Sequence, residues 1–148
     1  MKVGDRLRRS GVGLRPEHSV RAAAEVMEAA GIGAAVVVDG DVPVGIVTDR
    51  DLVRRVLARA VPDDARVDSV MTTPIVTIDA AEEEGRAFEL IGRHGVRRLV
   101  VVDGGRFVGL VSLDDLLVRV ADELRHLGRT VAIEIHAPTH DASPPALA

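Results

Sequence analysis

GIVTDRDL, Gly45 to Leu52, returns 64 residues further along as GLVSLDDL, Gly109 to Leu116. Each stretch opens on an apolar run of strand type and closes on charged residues that begin a helix, so each marks a strand-to-helix junction. In both, a hydroxyl residue (Thr48, Ser112) stands three places ahead of an aspartate (Asp51, Asp115). That spacing is the signature of a capping box, in which hydroxyl and carboxylate satisfy free backbone N–H groups of the first turn. The same atoms suit the ribose and phosphate of a nucleotide, because a helix N-terminus offers N–H donors and a positive dipole end. A capping box prefers the longer Glu or Gln at its last position, whereas both copies carry Asp, which favours the ligand use. The two uses remain compatible, since a hydroxyl can cap a helix and still border a ligand.

The repetition extends outward from these junctions. VVVDG at Val36–Gly40 falls on VVVDG at Val100–Gly104, Glu25 on Glu89 and Gly31 on Gly95, all at the same offset. Each unit has the order β-α-β-β-α. In the first, a short strand near Val12–Leu14 precedes a helix from Ser19 to Ala30, with Val20, Ala23, Ala24 and Met27 on one face. AAVVVD then has the length and character of a strand buried on both sides. After the turn at Gly40-Asp41, VPVGIVT makes a second strand, and a helix runs from Asp49 to about Arg59. The second unit repeats this with a strand near Val76–Ile78, a helix near Glu82–Arg93 and strands near Arg98–Asp103 and Arg106–Val111. Its last helix runs from Leu113 to about Leu127. Two repeats are too few for a solenoid, which needs about three to bury a core, so a closed pair with pseudo-two-fold symmetry is expected. The predicted fold class is α+β, with repeats at 1–61 and 62–127 and a largely disordered extension at 128–148. Within that extension TVAIEIH alternates apolar and polar residues and predicts one extra strand.

Composition removes several function classes. The chain has 148 residues, a net charge of −4 and no cysteine. Disulfides, thiolate metal sites and thiol catalysis are thereby absent. Acidity argues against a general basic face for nucleic acid. Phe88 and Phe107 are the only aromatic residues besides histidine, too few for a stacking platform. A bound base would have to lie between aliphatic side chains. No leader opens the chain and no apolar run approaches the ~18 residues of a membrane span, so a cytoplasmic protein is expected. No serine–histidine–carboxylate or phosphate-loop pattern is present, which predicts a protein that is not an enzyme. His136 and His140 stand four apart but flank Pro138, so no metal site is expected there.

These residues resemble a known family. Two β-α-β-β-α units, each closing on a G-h-h-[ST]-x-x-D-h pattern (h apolar), resemble a pair of CBS domains, and VMTTPIVTID (Val70–Asp79) and HGVRRLVVVD (His94–Asp103) add to the likeness. The resemblance covers about residues 1–125 and is closest to small stand-alone CBS pairs. It implies a module with two clefts between its repeats, often bound to an adenosine-containing ligand, and a homodimer associated through helices. It also implies regulation of a protein partner. Thr48 and Ser112 would then hold phosphate or ribose, and Asp51 and Asp115 ribose hydroxyls. Base contacts would come from the short strands, with Val12 in the first repeat and Thr72 and Ile75 in the second. No cofactor is required; AMP, ADP or ATP is the expected regulatory ligand, ahead of S-adenosylmethionine or NAD.

The two motifs are not equivalent. Arg50 lies inside the first, and its guanidinium can pair a phosphate bidentately. Its counterpart in the second is Asp114, which repels an anion. Arg97 and Arg98 stand where the first repeat has Gly33 and Ala34. The favoured grouping is therefore Thr48 and Asp51 on ribose, with Arg50 and Arg97 or Arg98 on phosphate. The alternative reading is a ligand-free dimerisation or protein-interaction module in which the motif is only a cap.

Overall fold

A computed structural model describes residues 1–7 and 12–136. Two three-stranded sheets carry the first unit of the chain, Met1–Leu116. In the first, β1 (Gly13–Leu14) runs parallel to β2 (Ala34–Asp39), which pairs antiparallel with β3 (Val42–Thr48). The second repeats the pattern with β4 (Thr77–Asp79), β5 (Arg98–Asp103) and β6 (Arg106–Ser112). The β2–β3 register shifts between Val37 and Val38, and the β5–β6 register between Val101 and Val102. The internal repeat thus reaches down to a matching bulge, which bends each hairpin at the same place.

Helices cross between the parallel strands, as that connection demands. α1 (Val20–Ala30) starts where Ser19 Oγ accepts from the Ala22 N–H at 3.0 Å. α3 (Glu84–His94) is its equivalent. Both end on a glycine, Gly31 or Gly95, whose left-handed φ of 61° or 63° is open to glycine without strain. The predicted helix at 49–59 begins as one α turn, α2 (Asp49–Asp51), and then widens into π-helical winding over Leu52–Leu57. Ala58 N–H donates to Val53 O, five residues back, at 2.9 Å. The wider turn brings Arg55 to the segment leading to β4, where its Nη1 donates to Val70 O and Met71 O at 3.0 Å each.

The repeats are interlaced by exchanged segments. Val3, 1% exposed, packs among Ile78, Leu99 and Val101 of the second repeat, and its N–H donates to Glu82 O at 2.9 Å. Val67 packs in return among Leu14, Val37 and Val47 of the first, and its N–H donates to His18 O at 2.7 Å. Each core is therefore completed by a strip of chain that precedes the other repeat's short strand.

The remaining helix, α4 (Leu113–His136), corrects the extra-strand expectation for TVAIEIH. Seven alternating residues attached to a formed helix extend it, since elongation adds one hydrogen bond per residue without a new nucleus. Thr130 Oγ1 and His136 Nδ1 bond the carbonyls of His126 and Ala132, four residues back. From Leu117 onward α4 belongs to a separate unit. His140 and the rest of the tail lie outside the described residues.

Candidate functional site

β3 and β6 end at the two repeated motifs, and both capping boxes are closed. Asp51 N–H donates to Thr48 Oγ1 at 3.1 Å, and Thr48 N–H donates to Asp51 Oδ2 at 3.0 Å. In the second motif Asp115 N–H donates to Ser112 Oγ at 3.1 Å. Ser112 N–H and Oγ donate to Asp115 Oδ2 at 3.4 and 2.7 Å. The expectation that Asp argues against a box is corrected. At the third helical position a carboxylate on one methylene already lies beneath the N-cap N–H, so the extra reach of Glu is not needed.

The aspartates differ in what else holds them. Thr72 Oγ1 donates to Asp51 at 3.1 Å to Oδ2 and 3.3 Å to Oδ1. Arg55 Nε approaches Asp51 Oδ1 at 3.8 Å, and the Asp51 side chain is only 14% exposed. Thr72 is itself fixed by paired backbone bonds with Ile46, at 2.7 and 3.1 Å. A crossing strip from the second repeat thus holds the first motif shut. Asp115 is exposed. Thr72→Val removes one hydroxyl bond to a half-buried carboxylate and is expected to cost about 1–2 kcal/mol in a urea titration. Wild-type stability in that variant would show that the Thr72–Asp51 bond does not form in solution.

The arginines sort differently from the expected grouping. Arg98 opens β5 directly across the ladder from Ser112. The space beside Gly33 is bounded by Arg98 Nη2 and Asp49 Oδ2, at 3.4 and 2.9 Å from where a Cβ would stand. A cleft of about 230 Å³ lies between Gly33-Ala34 and the group Leu110, Ser112 and Asp115, with Arg98 in its wall. Arg97 turns to Asp114, Nη2 to Oδ1 2.8 Å, on the surface of the second motif. Arg50 is exposed, and its backbone N–H donates to Asp49 Oδ1 at 2.8 Å. The structure therefore brings Arg98 together with Ser112 and Asp115, while Thr48 and Asp51 meet Thr72 and Arg55.

The expected base-contact residues take mixed positions. Val12 O accepts the Val36 N–H at 3.0 Å, so its carbonyl is used by the sheet. Ile75 is half-buried in the run before β4. Gly33, Asp49 and Arg55 were not among the expected site residues. Arg55 was hidden because its contact depends on π-helical winding. A cleft of about 400 Å³ also lies at the hairpin turns, where Phe107 N–H donates to Asp41 O at 2.8 Å. Among the described residues no helix is long and apolar enough to cross a membrane.

Two β-α-β-β-α repeats with paired strand-to-helix junctions define a small two-repeat module. The CBS domain model matches the chain twice, at residues 3–58 and 67–122, and the chain belongs to the CBS-domain family. It is 35% identical over 103 residues to the CBS domain-containing protein YhcV of Bacillus subtilis, covering 70% of this chain and 74% of that one. It is 34% identical over 120 residues to an uncharacterized protein of Methanopyrus kandleri, covering 79% of this chain but 61% of that longer relative. Among solved structures it resembles a CBS domain protein of Pyrobaculum aerophilum complexed with AMP. That match has a TM-score of 0.72 and 28% identity, covering 78% of this chain and 90% of the other. Stand-alone CBS-domain proteins are typically regulatory rather than catalytic.

Proposed function

We propose that this chain is a cytoplasmic regulatory module that binds an adenosine-containing ligand between its repeats and signals the bound state to a protein partner. The observation that carries the reading is the cleft where Arg98 stands beside Ser112 and the exposed Asp115. Asp115 has acceptor capacity for ribose hydroxyls, and the Arg98 guanidinium suits phosphate. Arg97 offsets the charge of Asp114 at the same edge. Small-molecule sites usually occupy ~300–1,000 Å³, so this cleft suits the ribose-phosphate end of a nucleotide, with the base extending beyond it. AMP, ADP or ATP is favoured over S-adenosylmethionine or NAD, and the AMP complex of the Pyrobaculum relative supports that order. The first motif, with Thr48, Arg50, Asp51, Thr72 and Ile75, forms a second and tighter site. A ligand there must displace Thr72 from Asp51. In this reading the chain acts as a homodimer.

A ligand-free interaction module is the second reading, favoured by capping boxes in which hydroxyl and carboxylate satisfy the backbone N–H groups of each junction. Titration calorimetry with AMP, ADP, ATP, NAD and S-adenosylmethionine separates the two. AMP is expected to bind, and Arg98→Ala to weaken binding at the Arg98–Ser112 cleft about tenfold through loss of a charged hydrogen bond, while Arg50→Ala leaves that cleft unchanged and acts only on the first motif. The opposite pattern would move the phosphate to the first motif. No binding of any of the five by the wild type would leave the interaction module standing.

A further inference from the structure

The cleft of about 400 Å³ at the hairpin turns belongs to neither strand-to-helix junction. β2 pairs with β3 from Ala34 across from Thr48 to Asp39 across from Val42, and the cleft stands at the second of these ends. Four residues of extended strand, about 13 Å, separate Val38 in its wall from Ala34 beside the first junction. Leu14, Val38, Phe107 and Val108 make its apolar surface, and the exposed Arg15 and Asp41 add charge. The Phe107 N–H bond to Asp41 O joins its two sides, one from each repeat.

The internal repeat supplies a control. At the offset of 64 the same places carry Thr77 for Gly13, Asp79 for Arg15, Gly105 for Asp41 and Pro43 for Phe107. In the second repeat Asp79 serves the fold, since its Oδ1 accepts the Ala81 N–H at 2.8 Å. Arg15 has no such duty. Its backbone N–H donates to His18 Nδ1 at 3.1 Å, but among the described residues its guanidinium meets no acid. Gly13 leaves out a side chain where a Cβ would touch Val38 Cγ2 at 3.5 Å and the edge of the Phe107 ring at 3.7 and 3.9 Å. One of the chain's two phenylalanines thus borders the space that the glycine opens.

Charge and shape together name a ligand class. Asp41 Oδ2 and Arg106 Nη1 approach at 3.7 Å and offset each other, so Arg15 leaves the cleft with one positive charge. A guanidinium favours an oxyanion that it can meet with two parallel N–H groups. A phosphate ester brings up to two negative charges and calls for a second cation, whereas a carboxylate brings one. The ring edge and the Val38 methyl suit a flat ring, which packs offset or edge to face against phenylalanine.

We propose that this cleft binds a small aromatic monocarboxylate, with its acid group on Arg15 and its ring against Phe107 and Val38. The site is independent of nucleotide binding at the junctions, so a chain that ignores every nucleotide would leave it standing. Phenylacetate is the probe and its neutral amide, phenylacetamide, the control. Phenylacetate titrated into the full chain is expected to give saturable amide NMR shifts at Gly13, Arg15, Gly40 and Val108. Phenylacetamide is expected to bind about tenfold more weakly for want of the charged hydrogen bond, and Arg15→Ala to lose the same factor for the acid. Gly13→Thr installs the residue that the second repeat carries at this place, and is expected to abolish the shifts while the melting temperature is kept. No saturable shift at millimolar phenylacetate would overturn the site. Equal binding of acid and amide would overturn the anion class. Binding that survives both substitutions, or shifts centred on Ser112 and Asp115, would overturn the assignment to this cleft.

Discussion

Gly45→Ala is expected to destabilise the protein by about 2–3 kcal/mol, and Gly109→Ala by about 1 kcal/mol or less, although the two glycines are equivalent in the repeat. A Cβ on Gly45 would overlap Met71 Sδ, its nearest atom, and stand 2.8 Å from Met71 Cγ and 3.2 Å from Met71 Cβ, so moving the sulfur alone does not clear it. Met71 has little room to retreat. Its N–H donates to Val67 O at 3.0 Å, its carbonyl accepts Arg55, and the next residue is locked to Ile46 on both sides. Relief would therefore require moving backbone, which is where overpacking is most costly. At Gly109 the nearest atom is Leu7 Cδ2 at 2.8 Å, and the next Leu7 atoms lie at 3.5 Å. The tip of Leu7 can swing aside. Urea denaturation of both variants checks the difference, and equal losses would mean that the Met71 strip is no better fixed than Leu7. The comparison also assigns the motif's leading glycine a reason. It is where a strip leading into the other repeat presses on the strand, so a side chain there competes with the interlacing.

Much of the fold was legible because it is written twice. The strands at Ala34–Asp39, Val42–Thr48 and Arg98–Asp103 stand at their predicted bounds, since VVVDG and the motif punctuate each hairpin in the same place. The two exchanged strips were not legible: Val3 and Val67 lie in stretches whose period identifies neither core. The site was readable at the level of the junctions and less so at the level of its charges. Arg97 and Arg98 are adjacent in sequence, yet strand alternation sends them to different neighbours, one to Asp114 and one to the cleft. That assignment was not recoverable from the turn alone. A hairpin turning at Gly104-Gly105 would set Arg98 across from Val111, and it is the register shift between Val101 and Val102 that pairs Arg98 with Ser112. The hold of Thr72 on Asp51 was beyond reach, because it depends on the crossing strip meeting β3 at Ile46.

Leu99→Ala is expected to have the largest effect of any single truncation, about 3 kcal/mol, with a fall in melting temperature on the order of 10 °C. Leu99 is fully buried in β5 among Val3, Ile78, Val101 and Leu116. Removing three carbons there leaves a cavity in a wall made of short strands, which collapse poorly around it. The form of the transition is as informative as its size. Val3 comes from before the first repeat and sits in the second core, and Val67 comes from before the second repeat and sits in the first. Neither core is complete without a strip fixed to the other. Unfolding of Met1–Leu116 should therefore remain one cooperative transition in the variant, shifted as a whole, with the calorimetric enthalpy equal to the van't Hoff enthalpy. Two independently folding repeats would behave otherwise: the second would melt early while the first kept its wild-type temperature. Scanning calorimetry distinguishes the outcomes, and a split endotherm would refute the interlacing as a source of stability. A single shifted endotherm has a functional corollary, because the cleft at Arg98 and Ser112 belongs to the weakened sheet while the Thr48–Asp51 junction belongs to the other. In a cooperative module both junctions lose their order together, so a ligand that binds either one stabilises both cores.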